Sequence, residues 1–457
     1  MKIDGRFLMK AIVVGAGGVG LHLAKVLASE GRDTVLIDQS EGALQQVQES
    51  VDVMTLQGSG TSAILLKEAG ISNADLFIAV TDSDEVNIIA CAIANQNGAK
   101  TKIARVSSTE YFNDEEILKP SDFGIDILIN PEKLSANEFV RLLSFPETRE
   151  FVEFENGKIQ LVTFNVDSNN PLIGKSMRNL GNYSWAPKLR FTAIKRSGGQ
   201  TVIPTGHDSI QETDEVFVIG SREAIDDMFD FCNVPHEIEP NHVIIVGANR
   251  VGIYIAQALE GSGTDIKLVD RSRDKAEAAS MILRKTTVLC GDYLDPLFFN
   301  EIGVKGVDGF ISVTGHDEDD IMACVTAKQN GAKHVSALIQ QPRYLPILAD
   351  IPLLDAVVSR HLVAVSEILH LVRRGHIVSA ASLHEIEAEV LEMIVDPGAK
   401  IAGKTVNSIR FPDHALIGAV VRDGGHMVAT GDLTILPEDR VIVFSLPNAI
   451  PKVEELF

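Results

Sequence analysis

The sequence repeats itself over nearly its whole length. Residues 10–39 align with residues 242–271, and 12 of these 30 positions are identical. Further matches are Asn-Gly-Ala-Lys at 97–100 and at 330–333, and Gly174-Lys175 with Gly403-Lys404. Because a duplicated sequence folds into duplicated units, the chain is predicted to form two matched halves, each with an early and a late unit.

The early unit of each half alternates short apolar runs with helical stretches. In the first half the predicted strands cover residues 11–14, 34–37, 51–56, 75–80, 102–106 and 125–129. The predicted helices cover residues 18–30, 40–49, 61–70, 83–97 and 109–119. Strands separated by helices pair in parallel through βαβ crossovers, and continuous apolar strands are typical of a sheet buried on both faces. The early units are therefore predicted to be α/β, Rossmann-like doubly wound parallel sheets.

The late unit has a different pattern. In the first half its extended runs cover residues 152–154, 158–166, 190–196, 201–203 and 215–219, and a helix is predicted over 226–231. Mostly extended runs closed by one helix predict a small α+β domain. The predicted domains are 10–146 and 241–375 for the two Rossmann-type units, and 147–232 and 376–457 for the two small units. A linker between the halves is predicted near residues 235–240, which contain two prolines.

Composition and charge exclude several classes of protein. The 457 residues carry a formal net charge of −22, which repels nucleic acid phosphates and anionic lipid surfaces, so no nucleic acid partner is expected. A membrane-spanning helix needs about 20 mostly apolar residues, and the best stretch, 351–372, is interrupted by three charged residues, so no direct membrane insertion is expected. Four cysteines without a C-x-x-C pair favour a reducing compartment, and we expect a cytoplasmic protein.

The strongest motif follows the first predicted strand and opens the first predicted helix. It is a complete G-x-G-x-x-G, formed by Gly15, Ala16, Gly17, Gly18, Val19 and Gly20, and Asp38 ends the next strand. In this context the glycines allow a tight turn, close approach of a pyrophosphate and close helix packing, and the acidic residue accepts from ribose hydroxyls. The motif predicts a nucleotide site, and Asp38 favours NAD(H) or an adenine nucleotide over a 2′-phosphorylated cofactor.

The rest of this pocket is expected from loops at the carboxyl ends of later strands. The candidates are Gly58, Ser59 and Thr61 after the third strand, Thr81 and Asp82 after the fourth, and Arg105 at the end of the fifth. Arg105 either pairs with phosphate or forms a surface ion pair, and Thr81 either lines the site or caps the following helix.

The second copy departs from the first at one position. Its motif reads Gly247, Ala248, Asn249, Arg250, Val251 and Gly252, and Asp270 occupies the position of Asp38. Asn249 tolerates a left-handed turn but adds a side chain where a pyrophosphate would approach. Arg250 either reaches a terminal phosphate, as in ADP or ATP, or is a solvated residue at the helix start. A second nucleotide or nucleoside site is therefore predicted, with its ligand open.

Motifs for reaction chemistry are not found. The sequence has no H-E-x-x-H, G-x-S-x-G or G-x-x-x-x-G-K-[ST], and no tyrosine is followed four residues later by lysine. Asp82, Asp84 and Glu85, with Asp317 to Asp320 in the copy, either form a cation site or complement a helix dipole, and we favour the second interpretation. No catalytic or metal-binding residue is predicted.

The motifs and their order resemble the TrkA family of Trk-type potassium uptake subunits. The resemblance rests on the glycine motif, the A-V-T-D-x-D-E-x-N stretch at 79–87, and a Gly-Lys pair opening each small unit, and it covers residues 10–457. It implies tandem RCK (KTN) domains that bind NAD(H) and adenine nucleotides and form a homotetrameric ring. It also implies a cytoplasmic regulatory role at the inner face of the membrane, where ring movement gates ion flow through a membrane-embedded potassium channel subunit.

Two other functions remain possible from the residues alone. One is an NAD-dependent oxidoreductase with duplicated Rossmann domains, for which no proton donor is found. The other is a free-standing nucleotide-binding oligomerisation module.

Overall fold

The computed structural model describes the chain apart from residues 1, 4–5, 8, 30, 109–110, 113–117, 146–147, 155–156, 198, 235–238, 349–352, 373–376, 384–387, 424 and 447–448. The predicted linker at 235–240 and the predicted helix at 109–119 therefore lie largely outside the described residues. Five short 3₁₀ segments are described, at Ile71–Asn73, Pro120–Phe123, Ala186–Lys188, Pro342–Tyr344 and Val406–Ser408.

The first Rossmann-type unit follows a short antiparallel pair, β1 (Lys2–Ile3) and β2 (Arg6–Phe7). Its strands are β3 (Lys10–Val14), β4 (Asp33–Asp38), β5 (Met54–Gln57), β6 (Leu76–Ala79), β7 (Thr101–Arg105) and β8 (Ile127–Ile129). Its helices are α1 (Gly18–Ser29), α2 (Glu41–Ser50), α3 (Ala63–Glu68), α4 (Asp84–Gln96) and α5 (Pro131–Ser144). All strand pairs are parallel, in the order β5-β4-β3-β6-β7-β8. The strand order reverses between β3 and β6, which places a binding crevice at the carboxyl ends of these two strands.

The first small unit is an antiparallel sheet with helices. Its elements are β9 (Thr148–Phe154), β10 (Ile159–Asn165), α6 (Met177–Leu180), β11 (Leu189–Lys195), β12 (Thr201–Val202), β13 (Glu215–Ser221) and α7 (Arg222–Cys232). The sheet order is β12-β11-β13-β10-β9. Asp214, which the duplication pairs with Asp439, is almost fully buried just before β13, where it binds Arg196 and the N–H of Gln211.

The second Rossmann-type unit repeats the parallel sheet. Its strands are β14 (His242–Val246), β15 (Asp265–Asp270), β16 (Thr287–Cys290), β17 (Gly309–Ser312), β18 (His334–Ile339) and β19 (Ala356–Ser359). Its helices are α8 (Arg250–Leu259), α9 (Arg273–Ile282), α10 (Pro296–Ile302), α11 (Asp317–Gln329), α12 (Leu345–Leu348) and α13 (Arg360–Val372). The order is β16-β15-β14-β17-β18-β19, again entirely parallel.

The second small unit repeats the antiparallel sheet. Its elements are β20 (Ile377–Leu383), β21 (Ala388–Ile394), β22 (Ala415–Arg422), β23 (Gly425–Val428), β24 (Arg440–Ser445) and α14 (Ile450–Glu454), with the sheet order β20-β21-β24-β22-β23. Asp439 binds Arg422 through both carboxylate oxygens, at 2.7 Å each. The predicted fold class, two doubly wound parallel sheets with two small α+β modules, is confirmed.

The second half of the sequence contributes a helix to the core of the first parallel sheet. The Rossmann-type units form one compact unit, residues 1–140 with 240–372, and the small units form another, 141–239 with 373–457. Within the first, α13 of the second half packs into the core on one face of the first parallel sheet, against β3 and α1. Its core residues are Ala364, Val365, Ile368, Leu369 and Val372. Their spacing of three or four residues places them on one helix face. Neither α13 nor its counterpart α5 is predicted from the sequence.

No helix in the described part of the chain is both long enough and apolar enough to cross a bilayer.

Candidate functional site

The glycine loop between β3 and α1 contains glycines of two kinds. Gly15 has a φ of 108°, and a Cβ on it would lie 3.0 Å from the backbone N of Thr81. A Cβ on Gly20 would lie 1.7 Å from the carbonyl oxygen of Gly15. Gly17 is exposed, and a Cβ on it would meet no atom within 4 Å. Packing therefore requires glycine at 15 and 20, whereas the space beside Gly17 is open to a ligand at the start of α1.

Asp38 at the end of β4 holds the loop in place. One carboxylate oxygen accepts a hydrogen bond from the N–H of Ala16 at 2.6 Å, and the other accepts from the N–H of Ser40 at 2.8 Å. The remaining lone pairs of this half-buried carboxylate are available at the crevice. Asp38 can therefore accept from the hydroxyls of a ribose whose phosphates lie at the start of α1.

The loop after β5 closes the crevice on the Asp38 side. The N–H of Gly58 donates to the carbonyl oxygen of Asp38 at 2.8 Å, and the hydroxyls of Ser59 and Thr61 lie 2.8 Å apart. A Cβ on Gly60 would lie 2.1 Å from Cγ1 of Val14, so glycine there allows the loop to approach β3. The predicted Gly58–Thr61 element is thus beside Asp38.

The loop after β6 is positioned by Asn87 of α4. Its Oδ1 accepts from the N–H of Thr81 at 2.9 Å and from the Thr81 hydroxyl at 2.7 Å. Its Nδ2 donates to the carbonyl oxygens of Thr81 and Arg105, both at 2.9 Å. Asn87 is fully buried and was not among the predicted site residues. The sequence did contain a sign of this role, because Asn87 is the last residue of the 79–87 motif and the one polar residue among the buried residues of α4.

Arg105 and Asp82, both predicted site residues, pair with each other. Nη1 of Arg105 lies 2.9 Å from Oδ1 of Asp82, whose side chain is fully exposed, whereas that of Arg105 is largely buried. Nε of Arg105 is buried without a partner among the described residues. Arg105 therefore forms the ion pair that was one of its two predicted roles. Its Nε is also a buried donor that a phosphate at the crevice could accept from.

The second half supplies a wall of the first crevice. A Cβ on Gly18 would lie 2.8 Å from Nδ1 of His361, so the imidazole at the start of α13 packs directly on the glycine loop. Burial, with Arg360 and Arg105 nearby, holds the pKa of His361 below its ordinary value, which favours a neutral ring. Arg360 forms an ion pair with Glu132 at the start of α5. Sequence reasoning missed His361 and Arg360, because only the packing of α13 brings them here.

The second crevice has the same frame. Gly247 has a φ of 112°, and a Cβ on Gly252 would lie 2.0 Å from the carbonyl oxygen of Gly247. Asp270 accepts from the N–H groups of Ala248 and Ser272, both at 2.8 Å, as Asp38 does in the first copy. Val251 is buried.

Asn249 and Arg250 differ from the first copy. Asn249 has a φ of −99°, outside the left-handed region, and its side chain caps α8. Its Oδ1 accepts from the N–H groups of Val251 at 3.0 Å and Gly252 at 3.3 Å. Arg250 is exposed.

A cavity of about 440 Å³ lies beside Asp270 in this second crevice. Arg271 crosses its edge, 2.8 Å from Asp292 and 3.2 Å from Asp319, and its guanidinium lies 4.1 Å from the centre of the Tyr293 ring. Arg271, the two aspartates and the Tyr293 ring thus contact one another in a single cluster.

Two of the acidic residues at the helix starts, Asp84 and Asp317, bind backbone amides. Asp84 accepts from the N–H of Ser107 at 3.0 Å, and Asp317 accepts from the N–H groups of Gln340 and Gln341 at 2.9 Å. Hydrogen bonds from Tyr111 and Ser83 lower the pKa of Glu85 to about 2. Among the described residues no group of acidic, His or Cys side chains could hold a metal ion.

Comparison with known families places both kinds of unit. A model of the TrkA-N domain matches residues 11–131 and 243–360, and a model of the TrkA-C domain matches residues 161–233 and 390–457.

Relatives match over almost the full length. The Trk system potassium uptake protein TrkA homolog 1 of Methanosarcina mazei is 33% identical, over 98% of this chain and 100% of its own length. The Trk system potassium uptake protein TrkA of Vibrio alginolyticus is 32% identical, over 98% of both chains.

Solved structures share the fold. The GsuK channel bound to NAD has a TM-score of 0.60 at 16% identity, over 99% of this chain and 80% of its own. GsuK bound to ADP has a TM-score of 0.50 at 13% identity, over 81% of this chain and 71% of its own.

Proposed function

Because the chain belongs to the TrkA family of Trk potassium uptake proteins, we propose that it is a regulatory subunit that binds NAD(H) in its first crevice and thereby gates a membrane potassium channel subunit. The chain is a Trk system protein with RCK-type domains and not an enzyme. The oxidoreductase hypothesis is therefore set aside.

The observation that carries the nucleotide proposal is the open space beside Gly17. This glycine is not needed by the packing of the protein, and it lies where the free N–H groups of α1 meet the Asp38 carboxylate. A dinucleotide supplies both partners, a pyrophosphate for the helix start and a ribose for the acid. The GsuK channel, which shares the fold, is bound to NAD in one structure and to ADP in another, which supports NAD(H) as the ligand and ADP or ATP as alternatives.

The membrane partner follows from the family. A Trk uptake protein needs an ion pathway, and we propose that a separate integral membrane subunit of the Trk type supplies it. The chain would then be cytoplasmic and peripheral at the inner face of the membrane, held there by protein contacts, since its net charge of −22 opposes an anionic lipid surface. A nucleotide changes gating only if it binds two ring conformations with different affinity.

Replacing Asp38 by asparagine is expected to weaken NADH binding about tenfold or more, because a charged acceptor for the ribose is lost. Isothermal titration calorimetry of NADH, NAD, ADP and ATP with the full chain measures this. Asp270→Asn, the same change in the second copy, is the matched control and should leave NADH affinity within about twofold. If no nucleotide binds the wild-type chain, the proposal is wrong, and steady NADH consumption with any substrate would restore the oxidoreductase hypothesis.

Self-association as a homotetramer is also proposed, and repeated exposed apolar residues support it. Ile89 on α4 and Met322 on α11 occupy the same position in the two copies and are 50% and 54% exposed. Ile64 and Leu297 form a second such pair, 83% and 73% exposed. Apolar side chains that remain at the surface in both copies support the proposal that copies of the chain meet there.

The double variant Ile89→Glu with Met322→Glu is expected to shift the chain from a tetramer to a smaller species, because two charges would be buried at that interface. Light scattering coupled to size-exclusion chromatography measures the mass. Met281→Glu is the control: Met281 is 85% exposed, but its counterpart in the first copy is the charged Glu49, so this variant should remain tetrameric. An unchanged mass for the double variant would remove these helices from the interface.

A further inference from the structure

In the second crevice, the side chain of Asn249 occupies the position at the start of α8 where a phosphate would bind. In the first copy, the position before α1 is Gly17, which has no side chain and faces open space. In the second copy, Asn249 stands at the same position, and its Oδ1 already accepts from the N–H groups of Val251 and Gly252. These amides are the groups that a helix start offers to an anion. A phosphate could bind them only by displacing the carboxamide.

Asn249 is also fixed from its other end. Its Nδ2 donates to the carbonyl oxygen of Val313, just beyond the end of β17. The side chain therefore bridges the two elements, α8 and β17, whose separation forms the crevice. Because donor and acceptor are both satisfied, displacement by a ligand would lose hydrogen bonds at both ends.

Arg271, at the edge of the second cavity, is also engaged, whereas Arg250 at the start of α8 is exposed. Arg271 is paired with Asp292 and Asp319 and lies over Tyr293. The corresponding residues of the first copy are Gln39, Ser59, Val86 and Gly60, which cannot form such a cluster. The cavity beside it is lined by Asp270, Glu318 and Asp319 as well as by Arg271 and Lys275, so carboxylates outnumber cations. This balance disfavours a polyanionic ligand.

We propose that Asn249 is a specificity-determining residue that closes the second crevice to nucleotide phosphates, so that each chain binds one dinucleotide, in the first crevice only. The proposal rests on the proposed function, because it presumes that the first crevice binds NADH. It assigns different roles to the two copies: the first senses the nucleotide, and the second completes the fold around it.

The test is the stoichiometry of NADH binding to the full chain, measured by isothermal titration calorimetry. Wild-type protein should bind one NADH per chain, and Asn249→Gly should bind two, because the amides of α8 become free. Gly17→Asn should show no bound NADH at the concentration that saturates the wild-type site, and Gly17→Asn combined with Asn249→Gly should bind one. Asn249→Asp, which keeps an acceptor at the start of α8 and adds negative charge, is the matched control and should bind one. Thermal unfolding of each variant verifies that it is folded.

The outcomes separate this inference from the proposed function. Two NADH per wild-type chain, or a single site in folded Asn249→Gly protein, overturns the role of Asn249 while the nucleotide proposal stands. No binding to wild-type protein, but one NADH per chain of Asn249→Gly, supports the role of Asn249 and contradicts the first crevice as the NADH site. No binding to either protein overturns both.

Discussion

Gly17→Asn should weaken NADH binding about a hundredfold, or about 2.7 kcal/mol, while the protein remains folded. The variant places in the first crevice the side chain that the second crevice already has. A Cβ at Gly17 meets no protein atom within 4 Å, and its backbone is not in the left-handed region, so the fold tolerates a side chain there. The new carboxamide would cap the N–H groups at the start of α1 and exclude the pyrophosphate.

The neighbouring glycine provides the contrast. Gly20→Ala would place its Cβ 1.7 Å from the carbonyl oxygen of Gly15, a backbone atom that cannot move aside without shifting the loop. We expect this variant to lose about 3 kcal/mol or more of folding stability. Calorimetric titration and thermal unfolding of both variants distinguish binding from folding. Strong NADH binding by Gly17→Asn would mean that the dinucleotide does not use the start of α1.

Asp320→Asn should stabilise the chain by about 3 kcal/mol at pH 8, since burial raises the pKa of this carboxyl to about 6 from an ordinary value of 3.8. Asp320 is fully buried on α11, where Oδ1 accepts from the hydroxyl of Ser312 and the N–H of Thr314, both at 2.7 Å. Its Oδ2 has no partner among the described residues. The first copy has Asn87 at this position, whose amide donates two hydrogen bonds instead.

The pH dependence of this effect follows from the direction of the shift. The folded chain holds the Asp320 proton more tightly than the unfolded chain, so the stability this group provides is complete below pH 3.8 and is lost as the pH rises through 6. The advantage of Asp320→Asn should therefore be near zero at pH 4 and reach its full size by pH 7 to 8. Thermal unfolding between these values measures it. Asn87→Asp, the reverse change in the first copy, should lower the folding stability of the chain increasingly as the pH rises. Equal stabilities of the wild-type protein and Asp320→Asn at pH 8 would contradict the burial argument.

Local patterns in the sequence were enough to predict the sheets and the first crevice. A parallel strand covered on both faces is apolar throughout, as β3 and β6 are. The glycine motif followed by Asp38 is typical of one local geometry, a strand, a tight turn and a helix beside an acidic residue. The alignment of the two copies also located Asn249 as the departure from the glycine motif, but not its role as the N-cap of α8. Asparagine is common both in left-handed turns and at helix N-caps, and the contact of Asn249 with the carbonyl oxygen of Val313 comes from another strand, so the local sequence does not reveal it.

Nonlocal packing explains what was missed. The apolar face of α13 has the same spacing whichever core it enters, so its sequence contains no sign that it packs against the first parallel sheet. His361 and Arg360 follow from that choice, since they are the first residues of the same helix. The role of Asn87 was missed for a similar reason. It forms hydrogen bonds with Thr81 and Arg105 from a helix whose other buried residues are apolar, so the helix pattern does not show which groups it contacts.

The position of α13 has a consequence for how the duplication could have arisen and been retained. A protein with a single copy would lack this helix over its own sheet and would leave an apolar face bare, unless a second molecule supplied it. Joining the copies in one chain makes the contact between α13 and the first sheet intramolecular, which raises the effective concentration of the helix at that sheet. The second copy can then diverge at its own glycine loop, as Asn249 illustrates, provided that it keeps the apolar face of α13.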